Sequence, residues 1–284
     1  MSNQEFRPGG FQILPPVVKN ILIISVLMFV IQYILQIRMN LDLTDYLGLH
    51  YFSAPLFRPY QFVTYIFMHG GIAHLFFNMF AVWMFGAALE NIWGSKRFLI
   101  FYLVTGMGAA LIQYVVYYFE ITPVLNVVAN LQQNPGDDSL NAFFNSKLFA
   151  GSLTREAYDH FISFADRYNA VLTESPSLAA SLANDYLQTY RADFLNAHTV
   201  VGASGSLFGI LLGFAMLFPN TYLNIYFFIP IKAKYFVMLY GGLEIYSAIK
   251  NDPTDNVAHF AHLGGMLFGF IMIKIWQRNR SNFY

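Results

Sequence analysis

The chain has 284 residues, of which 56% are hydrophobic, 18% aromatic and only 11% charged. A soluble domain carries roughly 25% charged residues, so this deficit calls for an apolar solvent around much of the chain. A formal net charge of +0 argues against a nucleic-acid partner, and the lack of cysteine removes disulfides, thiolate catalysis and thiolate metal sites together.

The polar start MSNQEFRPGG, and the long apolar run behind it without a small-residue cleavage site, do not fit a cleaved signal peptide. About 20 mostly apolar residues cross a bilayer core. Six stretches approach that measure, at 18–37, 72–90, 98–119, 199–218, 233–249 and 256–276. The predicted fold is an all-α polytopic membrane protein, a six-transmembrane-helix bundle with tails at 1–17 and 277–284. The fifth span fits least well, because NIYFFIPIKAKYFVMLYGGLEIYSAI mixes β-branched residues, a proline and two lysines.

Between the first two spans, residues 38–71 include FSAPLFRPYQFVTYIFMH, aromatic and apolar but broken by prolines. That composition predicts short helices lying in the membrane interface. Residues 120–198 break the hydrophobic character, with nine acids against four bases. Ala157, Phe161, Phe164, Ala165 and Tyr168 fall at helical spacing, as do Leu178, Leu182, Tyr186 and Leu187 behind a Ser175-Pro176 start. The segment reads as an extracytoplasmic helical insert between helices 3 and 4. Orientation follows from the basic residues. With the N-terminus inside, Arg7, Lys19, Lys96, Arg97, Lys232, Lys234, Lys274, Arg278 and Arg280 are cytoplasmic, against only Glu5 and Glu90. The C-terminus is then cytoplasmic too.

Polar residues within spans mark function by default. Span two opens with HGGIAHLFFN, span four with GASGSLFG and span six with HFAHLGGMLFG, and all three enter from the outer side. Ser204 falls about six residues into its span and His262 about seven, roughly 9–10 Å deep at 1.5 Å per residue. His74 and Asn78 lie near that layer or below it. Gly205, Gly209 and Gly213 form one smooth stripe, and His262, Gly265 and Gly269 share another. Pressing the stripes together brings a serine within reach of a neutral imidazole, which can take its proton. Phe208 lies one turn below Ser204, placed to brace the imidazole. His74 and Asn78, four residues apart, can both donate towards a developing oxyanion.

Each signal has a plainer reading. Small-xxx-small stripes are common at membrane helix contacts, an intramembrane histidine serves equally as structural donor, proton relay or ligand, and Asn78 alone is ordinary interhelical glue. A zinc site of His74, His259 and His262 lacks a carboxylate at matching depth, so no metal or cofactor is expected.

Taken together the motifs resemble those of the rhomboid family of intramembrane serine proteases. His69, Gly71, His74 and Asn78 match its His-x-Gly-x-x-His-x-x-x-Asn pattern. Gly202, Ser204, Gly205 and Gly209 match GxSGxxxG, and Ala261, His262, Leu263, Gly264, Gly265 and Gly269 match AHLGGxxxG. The resemblance implies a serine endopeptidase that cuts other membrane proteins in or near their transmembrane segments, after a small residue. Ser204 would be the nucleophile and His262 the base of a dyad without an acid. His74, Asn78 and the Ser204 amide would form the oxyanion hole, with Gly202, Gly205, Phe208, Gly265 and Gly269 packing the site. His69 would order a loop, Glu90, Gly94 and Arg97 would be structural, and His259 has no assigned role. The expected location is a bacterial inner (plasma) membrane, with the cavity opening outwards under a cap at 250–257. The partners are then transmembrane protein substrates and the lipid bilayer.

Two positions depart from the family pattern. Tyr60-Gln61 stands where a Trp-Arg pair is usual, and Phe208 where tyrosine is frequent. An inactive rhomboid-like protein that binds transmembrane clients is the alternative, but such a protein would normally have lost the serine or histidine. A transporter would show inverted repeats, and none is found.

Overall fold

In the computed structural model, which describes residues 11–133, 136–150, 155–225, 229–250 and 257–280, the apolar runs are helical. That is the structure in which every backbone group pairs within its own segment, as a lipid solvent demands. Helix α1 (Pro16–Met39) opens on a proline, whose missing N–H costs nothing at a helix start. Its free first-turn amides are capped from another helix. Val17 and Val18 donate to the carboxylate of buried Glu90 at 3.0 and 2.8 Å, and Ser95 Oγ donates to the same group at 2.6 Å. The structural role expected of Glu90 is thus a helix cap.

The first loop holds α2 (Thr44–Leu47), strand β1 (Leu49–His50), α3 (Gln61–Thr64) and a tight turn at Tyr65–Phe67. The second long helix runs as α4 (Ile72–Ala81), a widened turn at Val82–Gly86, and α5 (Ala87–Trp93). Gly94, at φ 79, reverses the chain into α6 (Ser95–Gln133).

Helix α6 continues well beyond the expected end at residue 119, straight through Pro123. The reason is a buried stripe of Ile121, Val124, Val128 and Leu131, which packs on α10 of the insert. The insert comprises α7 (Asp137–Phe144), α8 (Lys147–Ala150), α9 (Arg155–Val171) and α10 (Pro176–Ala197). Ala157, Phe164 and Tyr168 are buried, as their spacing predicts. On α10 Tyr186 and Leu187 are buried as expected and Leu182 is half-buried, whereas Leu178 is exposed and Ala179, Ala183, Tyr190 and Phe194 complete the inward face.

Strand β2 (Thr199–Val200) leaves the insert and pairs antiparallel with β1, Leu49 opposite Val200. Helix α11 (Ser204–Leu217) follows, then a hairpin of β3 (Tyr222–Ile225) and β4 (Ile229–Lys232) that the sequence reading did not foresee. Helices α12 (Ala233–Lys250) and α13 (His259–Arg280) complete the chain. Residues 251–256 of the expected cap lie outside the described residues.

Among the described residues, four helices are long and apolar enough to cross a membrane: Pro16–Met39, Ile72–Trp93, Ser95–Gln133 and His259–Arg278. Their outward faces stay apolar, with Ile23, Leu27, Phe76, Phe77, Leu267 and Ile271 exposed. Shorter, apolar α11 sits among α6, α12 and α13. At 14 residues it spans about 21 Å, less than a bilayer core. It can be short because protein, rather than lipid, surrounds it.

Candidate active site

Ser204 was expected several residues inside its span, but it is the first residue of α11. Residues 199–200 are spent on the β pairing, and Gly202, at φ 122, turns the chain before the helix begins. A side chain is strained at that φ, and there is no room for one. A Cβ on Gly202 would lie 2.7 Å from His74 Cε1, 2.8 Å from His74 Nε2 and 3.8 Å from Asn78 Nδ2. Both side chains of the second helix therefore reach the turn that presents Ser204. As an opening residue of a helix, Ser204 also has an amide without an intrahelical acceptor, at the positive end of the helix dipole. Asn78 Nδ2 is buried and has no hydrogen-bond partner among the described residues. A buried amide donor of that kind is an open position for an acceptor.

Helix α13 brings up His262. A Cβ on Gly265 would collide with the carbonyl oxygen of Gly205, and one on Gly269 would stand 3.2 Å from the Gly209 Cα. The two backbones touch because neither carries a side chain there, which sets the helix of His262 against the helix that Ser204 opens. The His262 ring stacks on Phe208, with centroids 4.2 Å apart and planes at 10°. The stacking expected of Phe208 is present without a hydroxyl. Ser204, His262, His74 and Asn78 all line one cavity of about 1570 Å³, large enough for water and a segment of peptide.

Sequence reasoning missed Glu244. Its Oε2 lies 2.9 Å from His262 Nδ1 and 2.6 Å from His259 Nδ1, and the carboxylate is 5% exposed. The premise that no carboxylate reaches this depth is wrong, because α12 carries one to the level of His262. The signal was available as an acid inside an apolar span, but it lay in the span with the least regular composition. Glu244, His259 and His262 offer one oxygen and two nitrogen atoms, all within 4.8 Å of one another. That donor set is one zinc accepts, and these are the residues that could hold a metal.

The first loop closes the near side of the site. Gln61, one of the two departures from the family pattern, is fully buried. Its Oε1 accepts from the amides of His50 and Arg58 at 3.3 and 3.0 Å, and its Nε2 donates to Tyr46 and Leu56 carbonyls at 3.2 and 2.9 Å. A neutral amide thus orders this loop with four bonds and no ion pair of its own. His69, also fully buried, sets its ring edge-on to His74 at 5.1 Å. Burial, with the His74 imidazole beside it, holds His69 down at about 4, against a bond to the Phe67 carbonyl that acts the other way.

The Rhomboid domain family matches residues 57–121 and 170–279, more than half of the chain. The matched residues carry every side chain described above around Ser204 and leave out 122–169. Rhomboid protease GluP of Bacillus subtilis (strain 168) is 43% identical over 56 residues, covering 20% of this chain and 11% of that protein. The Uncharacterized rhomboid protein P4H10.10, mitochondrial, of Schizosaccharomyces pombe is 24% identical over 243 residues, 80% of this chain and 55% of that one. RHOMBOID-like protein 6, mitochondrial, of Arabidopsis thaliana is 38% identical over 53 residues, 19% of this chain and 17% of that protein. The matches span between about a tenth and about half of the relatives' own lengths.

Proposed function

The chain belongs to the rhomboid family, an all-α polytopic membrane fold, and from that premise we propose that it is an intramembrane serine endopeptidase acting through Ser204 and His262. The observation that carries the proposal is the stacked Phe208–His262 pair. It seats an imidazole against the helix that begins with Ser204, inside the cavity that also holds His74 and Asn78.

In the proposed reaction, His262 Nε2 takes the Ser204 hydroxyl proton as Oγ attacks the scissile carbonyl carbon. The carbonyl oxygen gains the negative charge and receives hydrogen bonds from His74, Asn78 and the Ser204 amide. Collapse of the tetrahedral intermediate breaks the C–N bond, and His262 returns the proton to the leaving amine. Water entering the cavity then hydrolyses the acyl-enzyme with His262 again as base. Gly202, Gly205, Gly265 and Gly269 take no part in proton transfer; Gly205, Gly265 and Gly269 permit the approach of α11 and α13, and Gly202 makes room for His74.

The substrates proposed are transmembrane segments of other proteins, with the cavity opening to the outer side and both termini in the cytoplasm. Support for that orientation comes from the basic residues Lys96, Arg97, Lys274 and Arg278. The Trp93–Trp276 contact at 5.4 Å places those two helix ends together. The insert would shape access, since Ala197 and His198 at its end line the cavity. The test is cleavage of a model transmembrane substrate by the purified protein. Ser204→Ala and His262→Ala should each abolish turnover, and the double variant should be no worse than either single one. Appreciable turnover by Ser204→Ala would refute the assignment.

A further inference from the structure

The family pattern supplies His262 with no acid, yet in this chain one oxygen of a buried carboxylate lies 2.9 Å from His262 Nδ1. We infer that Glu244 is a positioning residue for His262, so that the catalytic unit is Ser204, His262 and Glu244, with His259 holding the carboxylate in place. The inference rests on the protease reading and adds to it a member that the motif does not contain.

The chemistry follows from which atoms are left over. An imidazole has two nitrogens, and in its neutral form one donates and the other accepts. A carboxylate only accepts, so the nitrogen facing Glu244 must carry hydrogen. That fixes the Nδ1–H tautomer of His262 and leaves the Nε2 lone pair as the site for the Ser204 proton. When that proton arrives, the imidazolium gains a full positive charge 2.9 Å from a negative one. Glu244 keeps its charge throughout and takes up no proton, as the acid of a Ser-His-Asp triad does. The Phe208 ring meanwhile fixes the plane of the imidazole, so direction and tautomer are set by two different neighbours.

A lone carboxylate at this depth would be costly. His259, one turn before His262 on α13, offsets that cost by approaching the same Oε2 at 2.6 Å with its own Nδ1. Two donors from one helix converge on one acceptor from the next. The pairing also ties α12 to α13, so its removal has a structural component that a test must separate from the catalytic one.

The experiment uses the full chain in lipid nanodiscs, with Glu244→Gln, Glu244→Leu and His262→Gln beside the parent protein. A fluorophosphonate reports Ser204 nucleophilicity, thermal unfolding reports the fold, and ¹⁵N-histidine NMR reports the tautomer, with His262→Gln identifying its signals. Expected for Glu244→Gln is a folded protein whose labelling rate drops about 10²-fold or more. Loss of the orienting carboxylate in a serine triad costs about 10⁴. In the parent, His262 should be the Nδ1–H form, and Glu244→Leu should move it towards Nε2–H. Parental labelling in Glu244→Gln, or an unchanged His262 tautomer in Glu244→Leu, overturns the inference. So does loss of parental labelling on 1,10-phenanthroline treatment with recovery on added zinc, which would make the three residues a metal site. If the parent itself fails to label at Ser204, the protease reading fails, and the NMR signals still decide separately whether Glu244 fixes His262.

Discussion

The contact between α11 and α13 and the contact between α9 and α10 are both helix pairs, and they close by opposite means. At the first, backbone meets backbone: Gly265 lies against the Gly205 carbonyl and Gly269 against Gly209. At the second, large rings fill the space. Phe164 stacks on Tyr186 with centroids 4.3 Å apart, and Phe161 meets the same ring at 5.9 Å. Outside these rings Asp159, Asp166, Arg167, Asp185 and Arg191 are exposed. The difference follows from the solvent. Within a membrane bundle, apolar side chains gain nothing by leaving lipid for protein, and helices associate through close van der Waals approach. Where water surrounds them, burying rings is itself the driving force.

The largest effect on activity is expected where backbones touch. Gly265→Ala places a methyl group on the Gly205 carbonyl and should destabilise the bundle by about 1–3 kcal/mol or more. It should also separate His262 from Ser204, so fluorophosphonate labelling should vanish along with the drop in Tm. Normal labelling would show that the contact tolerates side-chain bulk and that the contrast between the two regions is false. Next come the donors around Gly202. His74→Ala and Asn78→Ala should each lower kcat by up to about 10²–10³, with partial cover from the remaining donor and little change in KM. A pure KM effect would place both residues in substrate binding.

The insert should behave differently. Phe164→Ala removes a ring from the cluster around Tyr186 and should cost that region about 3–5 kcal/mol. Limited proteolysis would then cut within α9 or α10, while the small probe still labels Ser204 at close to the parental rate. Cleavage of protein substrates should change unequally among substrates, as the role in access proposed for the insert requires. Equal loss of probe labelling would mean that the insert is part of the structural core.

The smallest effect concerns His69, in the first loop between the two regions. Its folded value, held down to about 4 by burial, lies below the ordinary 6.5 of free histidine. The neutral ring therefore contributes stability that is complete above about pH 6.5 and is lost as pH falls towards 4. Thermal unfolding at pH 7.5, 5.5 and 4.5 should show the parent losing stability relative to His69→Gln. Parallel curves would contradict this account of the loop.

Much of the site was legible because it repeats helical spacing. His74 with Asn78, Ser204 with Phe208, and His262 with Gly265 each lie one turn apart, so the sequence alone puts the members of each pair on one face. Glu244 was not legible by that route. Its partners lie 15 and 18 residues away across a loop, and no local period links them. The start of α11 was misplaced because Thr199 and Val200 look like the apolar beginning of a span, and only their pairing with the first loop makes them a strand. Helix α6 outruns its expected end at 119, although Glu120 and Pro123 follow there. The stripe from Ile121 to Leu131 outweighs both by packing on α10. The strand pair at Tyr222–Lys232 lies just before the fifth span, where β-branched residues and a proline run into the apolar stretch with no polar break to separate strand from helix.

The central claim is that Ser204 is an activated nucleophile although nothing near it in sequence is basic. The direct measurement is site-specific: treat the purified protein with a fluorophosphonate, digest it and locate the adduct by mass spectrometry. The account predicts a single adduct on Ser204, lost in His262→Ala although Ser204 itself is retained. An adduct elsewhere, or on Ser204 with equal yield in His262→Ala, would contradict it.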